Sequence, residues 1–387
     1  MAVNFQLNNG LKNVVDLFFY GTLRYVPLLE LVLGRGGAGL ETTVAKLQDH
    51  AVYAVRDQIF PMIAEAEGET ATGLLVRGLS AQDLAALDFY EGGFDYALKP
   101  ITVSLASGGT AAAQVYFPTP GQWQASAPWE LETWIAESGA LTLRAAEEVM
   151  AYQGRVTAEQ MRQSFPSIRR RASAWLMAQS RSEDPAHDLA RDVEVETHKR
   201  AYVNFFAMEE MDLKFRRYDG SMSPVVNRGV ALVGRASVVL PYDPLRDQVL
   251  LVEQFRAATY IAGEKRPWMW EPVAGLIDPG ETPQQAACRE AMEEAGVTIS
   301  HLEEVSHGYP SSGSSGEFIY IYVGVTDLSD ISGGGGVAGE NEDLRSEILS
   351  FDSLMEGVDT HRYQDMPLIT AALWLARHRD RLRAQAG

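Results

Sequence analysis

The sequence predicts an α+β N-terminal domain, a helical extension, and a second domain that mixes strands with helices. Three observations lead there. At 387 residues the chain is long for a single core. Short β-branched and aromatic runs alternating with Gly-rich turns occupy both ends, and a block of helical periodicity separates them. A polar, Pro-containing stretch, SRSEDPAHDLARD (180–192), then marks a linker. The boundaries fall at 1–122, 123–189 and 190–387, and the two β-rich parts show no internal repeat.

Taken in order, VVDLFFYG, TATGLLVRG, KPITVSL and AAAQVYF read as strands. SAQDLAALDFY reads as a short helix with Ser80 as its N-cap. From Trp123 to about Gln179 the periodicity is helical: PWELETWIAES, TLRAAEEVMAYQG and TAEQMRQSF, the last opened by a Thr157/Gln160 capping box. Pro166 is expected to separate that helix from SIRRRASAWLMAQ, and Arg169, Arg170 and Arg171 to form a solvated face. Strands resume in AYVNFFAMEEMDLKF, VVNRGVALVGRASVVLPY, QVLLVEQFRAATY and EFIYIYVGV. A Gly run at 333–336 leads into GENED, and a helix around MPLITAALWLARHRDRL follows.

Composition sets the class. With 46% hydrophobic and 22% charged residues, the chain can fill sizeable cores. A net charge of −19 repels nucleic-acid phosphates, so no nucleic-acid partner is expected. The single cysteine, Cys288, rules out an intramolecular disulfide and a Cys-based zinc site, which fits a reducing cytoplasm. The first residues lack a basic segment followed by an apolar one, and no apolar run approaches 18 residues. Neither secretion nor membrane insertion is therefore expected.

The stretch GLIDPGETPQQAACREAMEEAGV (275–297) carries five carboxylates in 23 residues. Its helix starts near Pro283 and stops near Gly296. Glu290 and Glu294 stand one turn apart, with Glu293 beside them. Clustered carboxylate oxygens suit Mg2+, or Mn2+, which keep waters that a phosphate substrate can displace. Arg289 is placed to hold Glu293, leaving the other two for metal.

The spacing G-x5-E-x7-R-E-U-x-E-E-x-G-U resembles the Nudix box. Gly275, Glu281, Arg289, Glu290, Glu293, Glu294, Gly296 and Val297 are in register, with Ala291 where a bulkier aliphatic is usual. The resemblance implies an α/β/α sandwich that hydrolyses a nucleoside diphosphate linked to another group. Glu290, Glu294 and the Ala274 carbonyl would be metal ligands, Arg289 would orient Glu293, and Glu281 would bind the helix or a metal.

From about Arg200 to Arg381 the chain is similar to the bacterial ADP-ribose pyrophosphatase branch, through VVLPYDPLRDQVLLVEQFRAA, WEPVAGLIDPGE and AGENEDLR. That implies conversion of ADP-ribose to AMP and ribose 5-phosphate. Glu340 would be the loop base, Glu342 a further metal ligand, and Arg256 a contact to substrate phosphate. It also implies a domain-swapped homodimer in which Phe205 and Arg228 stack on the adenine and Glu317 makes a polar contact. One departure stands out. The branch usually has a proline sixteen residues after the box glycine; here that position is Ser312, and the nearest proline is Pro310. Other nucleotide sugars therefore stay open as substrates.

In the first domain, FFYGTLR (18–24) and LDFYEG, which carries Glu91, resemble the gamma-glutamylcyclotransferase-like family over residues 14–120. The resemblance implies a β-barrel whose Gly21–Thr22–Leu23 turn forms the substrate pocket. Glu91 would be the general base that frees the substrate amine to close a lactam. Relatives also keep this fold with no established activity, so catalysis and a binding or scaffolding role both stay open. The order of the two domains resembles Nudix proteins associated with tellurite resistance, a stress-linked setting.

Overall fold

The computed structural model describes residues 14–36, 39–91, 97–331 and 343–386. It divides into two compact units, one ending at Ala172 and the next starting at Ser173.

The first unit contains β1 (Val15–Phe19), α1 (Val26–Leu33), β2 (Glu41–Val55), β3 (Pro61–Leu79), α2 (Ala81–Glu91), β4 (Ala97–Leu105), β5 (Thr110–Phe117) and β6 (Ala125–Pro128). The helices α3 (Leu131–Trp134), α4 (Ala140–Met150) and α5 (Ala158–Gln179) follow, and the unit boundary falls within α5. Strand order is β3-β1-β5-β4-β2, and β2 pairs again with β3, so five strands close a barrel with β6 appended to β2. The period of two sorts side chains. Phe18, Leu75, Val103 and Val115 fill one cluster, while their neighbours Leu17, Phe19 and Val76 pack with α1, α2 and α4. A Cβ on Gly73 would sit 2.3 Å from the Phe18 ring, so that ring crosses the barrel because position 73 has no side chain.

The strand β2 is absent from the sequence expectation. Only Ala45, Leu47 and Val55 of its run ETTVAKLQDHAVYAV are buried, so its apolar signal is thin. The cap at Ser80 forms as expected: Asp83 N–H donates to Ser80 Oγ at 3.2 Å, and Ser80 N–H donates back to Asp83 Oδ2 at 2.8 Å. The Thr157/Gln160 box forms too, at 3.0 and 3.2 Å.

Two helical expectations are corrected. Pro166 does not divide α5, which runs through it. A proline removes one ladder bond and crowds the preceding turn, but Met161, Ile168 and Ala172 are buried on either side of it and hold the helix together. Nor is the arginine run a single solvated face. Successive helix positions are about 100° apart, and Arg171 turns inward to a bidentate pair with buried Glu148, at 2.6 Å from Nη2 and 3.0 Å from Nε.

The second unit opens with α6 (Leu189–Asp192) and a three-stranded antiparallel sheet: β7 (Val193–Val203), β8 (Ala207–Phe215) and β9 (Val226–Leu232). Then come β10 (Arg235–Asp243), β11 (Gln248–Phe255), α7 (Ala257–Ile261), β12 (Trp268–Glu271), β13 (Val273–Leu276), α8 (Pro283–Ala295), β14 (His301–Gly308), β15 (Phe318–Val325), β16 (Arg345–Ser350), α9 (Phe351–Asp359) and α10 (Met366–Ala386). The larger sheet is ordered β12-β11-β10-β15-β14, with β13 beside β10 and β16 beside β11. The pair β10–β15 is parallel, and every residue of β10 is buried. Val238, Leu240 and Tyr242 pack against α9 and α10, while Val239 packs with Ala287, Ala291 and Ala295 of α8. Helices thus cover both faces, the sandwich expected from the sequence. No helix among the described residues is long and apolar enough to cross a membrane.

Candidate functional sites

The acidic helix α8 is fixed at both ends by its own sequence. Thr282 accepts from Gln285 N–H while the Gln285 side chain bonds back, Pro283 follows at the first helical position, and Gly296 closes the helix at φ +64°. The small Ala291 is fully buried against the sheet.

Arg289 organises the charge. Its Nε and Nη2 grip Glu281 at 2.9 and 3.0 Å, and Nη1 reaches Glu290 at 2.6 Å and Glu293 at 3.0 Å. Nη2 also donates to the Leu276 carbonyl at 3.1 Å, tying the helix to β13. The expected Arg289–Glu293 pair is present. The expectation that Glu290 would stand clear of Arg289 is corrected, because the planar fork serves several carboxylates at once. Hydrogen bonds from Arg289 hold the Glu281 carboxyl below its ordinary pKa.

Glu290 and Glu294 converge on the backbone of β13. The Ala274 N–H donates to Glu294 Oε2 at 3.2 Å, and Glu294 is buried. A Cβ on Gly275 would lie 1.9 Å from Glu290 Oε1. The box glycine is therefore the space that the Glu290 carboxylate occupies. This donor set, two carboxylates against bare strand backbone, is all hard oxygen and fits a divalent cation of the Mg2+ class. Among the described residues no group of three or more His, Cys, Asp or Glu side chains has metal-holding geometry. Glu340 and Glu342 lie outside the described residues.

Arg256, at the end of β11, is clamped by Glu271 of β12, its Nε donating to both carboxylate oxygens at 2.9 and 3.0 Å. The charges of Glu294 and Asp365 also act on it. Glu317 belongs to the same neighbourhood: burial raises its pKa and the charge of Arg256 opposes the rise. Burial likewise pushes Asp365, which caps α10 through Leu368 N–H at 2.8 Å, up to about 6. The structure thus gathers Arg256, Glu294 and Glu317 in one neighbourhood, with Glu271 and Asp365 beside them. Glu271 had a signal, an acid closing the otherwise apolar strand WMWE; Asp365 had little beyond its place before Met366 and Pro367.

Phe205 and Arg228 stand elsewhere, with the three-stranded sheet. Phe205 lies in the bend between β7 and β8 rather than in a strand, with its ring edge-on to Phe206. It is 48% exposed, and Arg228 is exposed as well. The loop around Ser312 is a tight turn: Ser314 N–H and Ser315 N–H both donate to the Ser311 carbonyl, and Gly316 N–H donates to Ala231 of β9 at 2.9 Å.

In the first unit, β1 ends in a short 3-10 turn at Thr22–Arg24, and Gly21, Thr22 and Leu23 line a cavity of about 230 Å3. Glu91, the last residue of α2, lines it too, and burial pushes its carboxyl up to about 7. Phe19, Phe60, Tyr116 and Trp134 form aromatic wall; Trp134 is anchored by its Nε1–H to the Ile59 carbonyl at 2.7 Å, and Tyr116 by its hydroxyl to Asp88 at 2.8 Å. The turn and the glutamate singled out in the sequence therefore share one cavity.

A carboxylate-rich helix tied by one arginine to a strand, within a two-faced mixed sandwich, defines the second unit as a Nudix domain. The chain belongs to the Nudix hydrolases: the NUDIX domain model matches residues 233–367, and "ADP-ribose pyrophosphatase" of Escherichia coli (strain K12) is 36% identical over 192 residues, 50% of this chain and 91% of that protein. "GDP-mannose pyrophosphatase" of Enterobacter sp. (strain 638) is 28% identical over 174 residues, 45% of this chain and 89% of that one. A solved "ADP compounds hydrolase" aligns at 19% identity and a TM-score of 0.40, over 50% of this chain and 97% of that one. Residues 17–136 match the model "Gamma-glutamyl cyclotransferase, AIG2-like", so the chain carries that domain as well.

Proposed function

We propose that the second unit is a Mg2+-dependent pyrophosphatase that hydrolyses ADP-ribose to AMP and ribose 5-phosphate. The observation that carries this reading is the convergence of Glu290 and Glu294 on Ala274–Gly275, held in place by Arg289. The likeness to ADP-ribose pyrophosphatase, closer than that to GDP-mannose pyrophosphatase, supports the choice of substrate.

Glu290, Glu294 and the Ala274 carbonyl would hold the metal, with Glu342 as a further ligand. A bound divalent ion supplies positive charge to the phosphoryl oxygens and acidifies water. Arg289 keeps the carboxylates oriented, and Arg256 meets substrate phosphate. Glu340 takes a proton from the attacking water as its oxygen bonds to phosphorus and the bridging P–O bond breaks. Glu293, steadied by Arg289, supports this set. Phe205 and Arg228 would complete an adenine site across a homodimer, and Glu317 would add a polar contact. The exposed apolar side chains Val195, Tyr202, Phe205, Phe206 and Met208 on and beside the three-stranded sheet favour such pairing. We place the enzyme in the cytoplasm, in a stress-linked role akin to that of the tellurite-associated proteins. Glu294→Gln is expected to abolish hydrolysis with an unchanged circular dichroism spectrum; unaltered turnover contradicts the metal assignment.

For the first unit the shared cavity of Glu91 and the Gly21–Leu23 turn supports a second activity, cyclotransfer on a γ-glutamyl amide. Glu91 takes a proton from the α-ammonium, and the amine attacks the γ-carbonyl carbon. The amide C–N bond breaks, and the proton returns to the departing amine. The products are 5-oxoproline and that amine, with no water consumed. Glu91→Gln is expected to end 5-oxoproline release.

A further inference from the structure

Arg256 is held twice over, by its backbone and by its side chain. Its N–H donates to the Pro267 carbonyl at 2.8 Å, and its own carbonyl accepts from the Thr259 hydroxyl at 2.8 Å, so the turn from β11 into α7 is fixed. On the neighbouring strand β12, Glu271 is 7% exposed. It accepts from Nε through both carboxylate oxygens and from Nη2 through Oε2. A carboxylate that grips Nε and Nη2 together sets the plane of the guanidinium and the direction of its outer edge.

That outer edge is carried by Nη1. It makes no hydrogen bond among the described residues, it is not a buried atom, and the side chain as a whole is 42% exposed. The charge of Glu294 acts on Arg256, so the guanidinium lies near the acids of the box helix. A long arginine side chain ordinarily loses rotamer freedom when it meets a ligand. Here Glu271 has imposed that order before any ligand arrives, and it leaves an accessible donor edge next to the place where metal and phosphate would meet.

We propose that Glu271 is a positioning residue of the pyrophosphatase: it touches neither metal nor substrate, and it acts by aiming the Nη1 edge of Arg256 at a non-bridging phosphate oxygen. This rests on the proposed contact between Arg256 and substrate phosphate. An arginine paired with a glutamate has little net charge, so Glu271 contributes orientation and not attraction. Its effect reverses once the arginine is gone, because a lone carboxylate beside a diphosphate repels it. Removing Glu271 therefore has different consequences with and without Arg256, a pattern that neither a metal ligand nor a purely structural residue would give.

The probe is the analogue of ADP-ribose in which a methylene group replaces the bridging oxygen, so that it binds without being cleaved. Its affinity for the full-length protein is measured by calorimetry with Mg2+ present, and turnover of ADP-ribose is followed in parallel. Arg256→Ala should weaken binding about 10- to 100-fold, the scale of a hydrogen bond between charged groups. With Arg256 in place, Glu271→Leu should weaken it about tenfold, the scale of ordering one long side chain. Glu271→Gln, which keeps one acceptor oxygen, should weaken it less, and it carries the test if Leu impairs folding. In the Arg256→Ala background, Glu271→Leu should leave binding unchanged or tighten it. The Mg2+ concentration for half-maximal turnover should be the same in Glu271→Leu as in the wild type. This pattern of binding without turnover of ADP-ribose would remove the hydrolase reading and keep the positioning role. Weakening of similar size in both backgrounds, a raised Mg2+ requirement, unaltered or tighter binding with Arg256 in place, or failure of the wild-type protein to bind the analogue would overturn the proposal.

Discussion

Gly275 shows how much one absent side chain decides. Alanine there puts a methyl group 1.9 Å from Glu290 Oε1, and the flexible carboxylate must move while the strand stays. Gly275→Ala is expected to lower hydrolysis about 10- to 100-fold, the scale of a disturbed ligand environment. It should also raise the Mg2+ concentration needed for half-maximal activity, measured by metal titration, with little change in melting temperature. Glu91 gives a pH prediction of defined sign. Its folded pKa of about 7 lies above the ordinary carboxyl value of 4.5, so the native state binds the extra proton. Its contribution to stability is full below about pH 4.5 and is lost as pH rises through 7. Glu91→Gln should remove that decline from the thermal unfolding of the first unit between those limits. In the wild-type protein, cyclotransfer should increase with pH through about 7 as the base ionises.

At the scale of elements, α4 and α5 are joined by Arg171 and Glu148, both nearly fully buried. Removing one partner leaves a buried charge alone: Glu148→Ala should cost about 3–5 kcal/mol, whereas Glu148→Leu with Arg171→Met should come close to neutral. Urea unfolding followed at the first unit's transition distinguishes the two. This pair also shows what the sequence could not convey. Three arginines in a row read as surface, because the partner of Arg171 is 23 residues away on another helix. Local signals were legible: the caps at Ser80 and Thr157 both form where their side chains predict. The box helix was legible because each of its fixed residues has a short-range duty, Gly275 as space, Arg289 as fork and Gly296 as stop. Glu271 and Asp365 were less legible, since their importance comes from non-local proximity to Arg256. Pro166 misled because helix-breaking is a local penalty, and burial on both sides of it is a tertiary compensation.

For the whole molecule, two sites with different chemistry occupy two compact units. One is a set of carboxylates around an arginine; the other is an aromatic cavity with one carboxyl of raised pKa. If they work independently, Glu91→Gln leaves nucleotide hydrolysis at its wild-type rate, and Glu294→Gln leaves 5-oxoproline release unaltered; a loss shared by both assays would mean that the units depend on each other. Pyrophosphate hydrolysis is the activity proposed for the first of these sites. Its most direct test is to incubate the purified full-length protein with Mg2+ and ADP-ribose, beside GDP-mannose, ADP-glucose and NADH, and to resolve the nucleotide products by chromatography. Rapid formation of AMP from ADP-ribose is expected, abolished by chelation of the metal and by Glu294→Gln. Preference for another diphosphate would contradict the substrate assignment and point to the turn around Ser312; absence of hydrolysis across the panel with Mg2+ or Mn2+ would contradict the account itself.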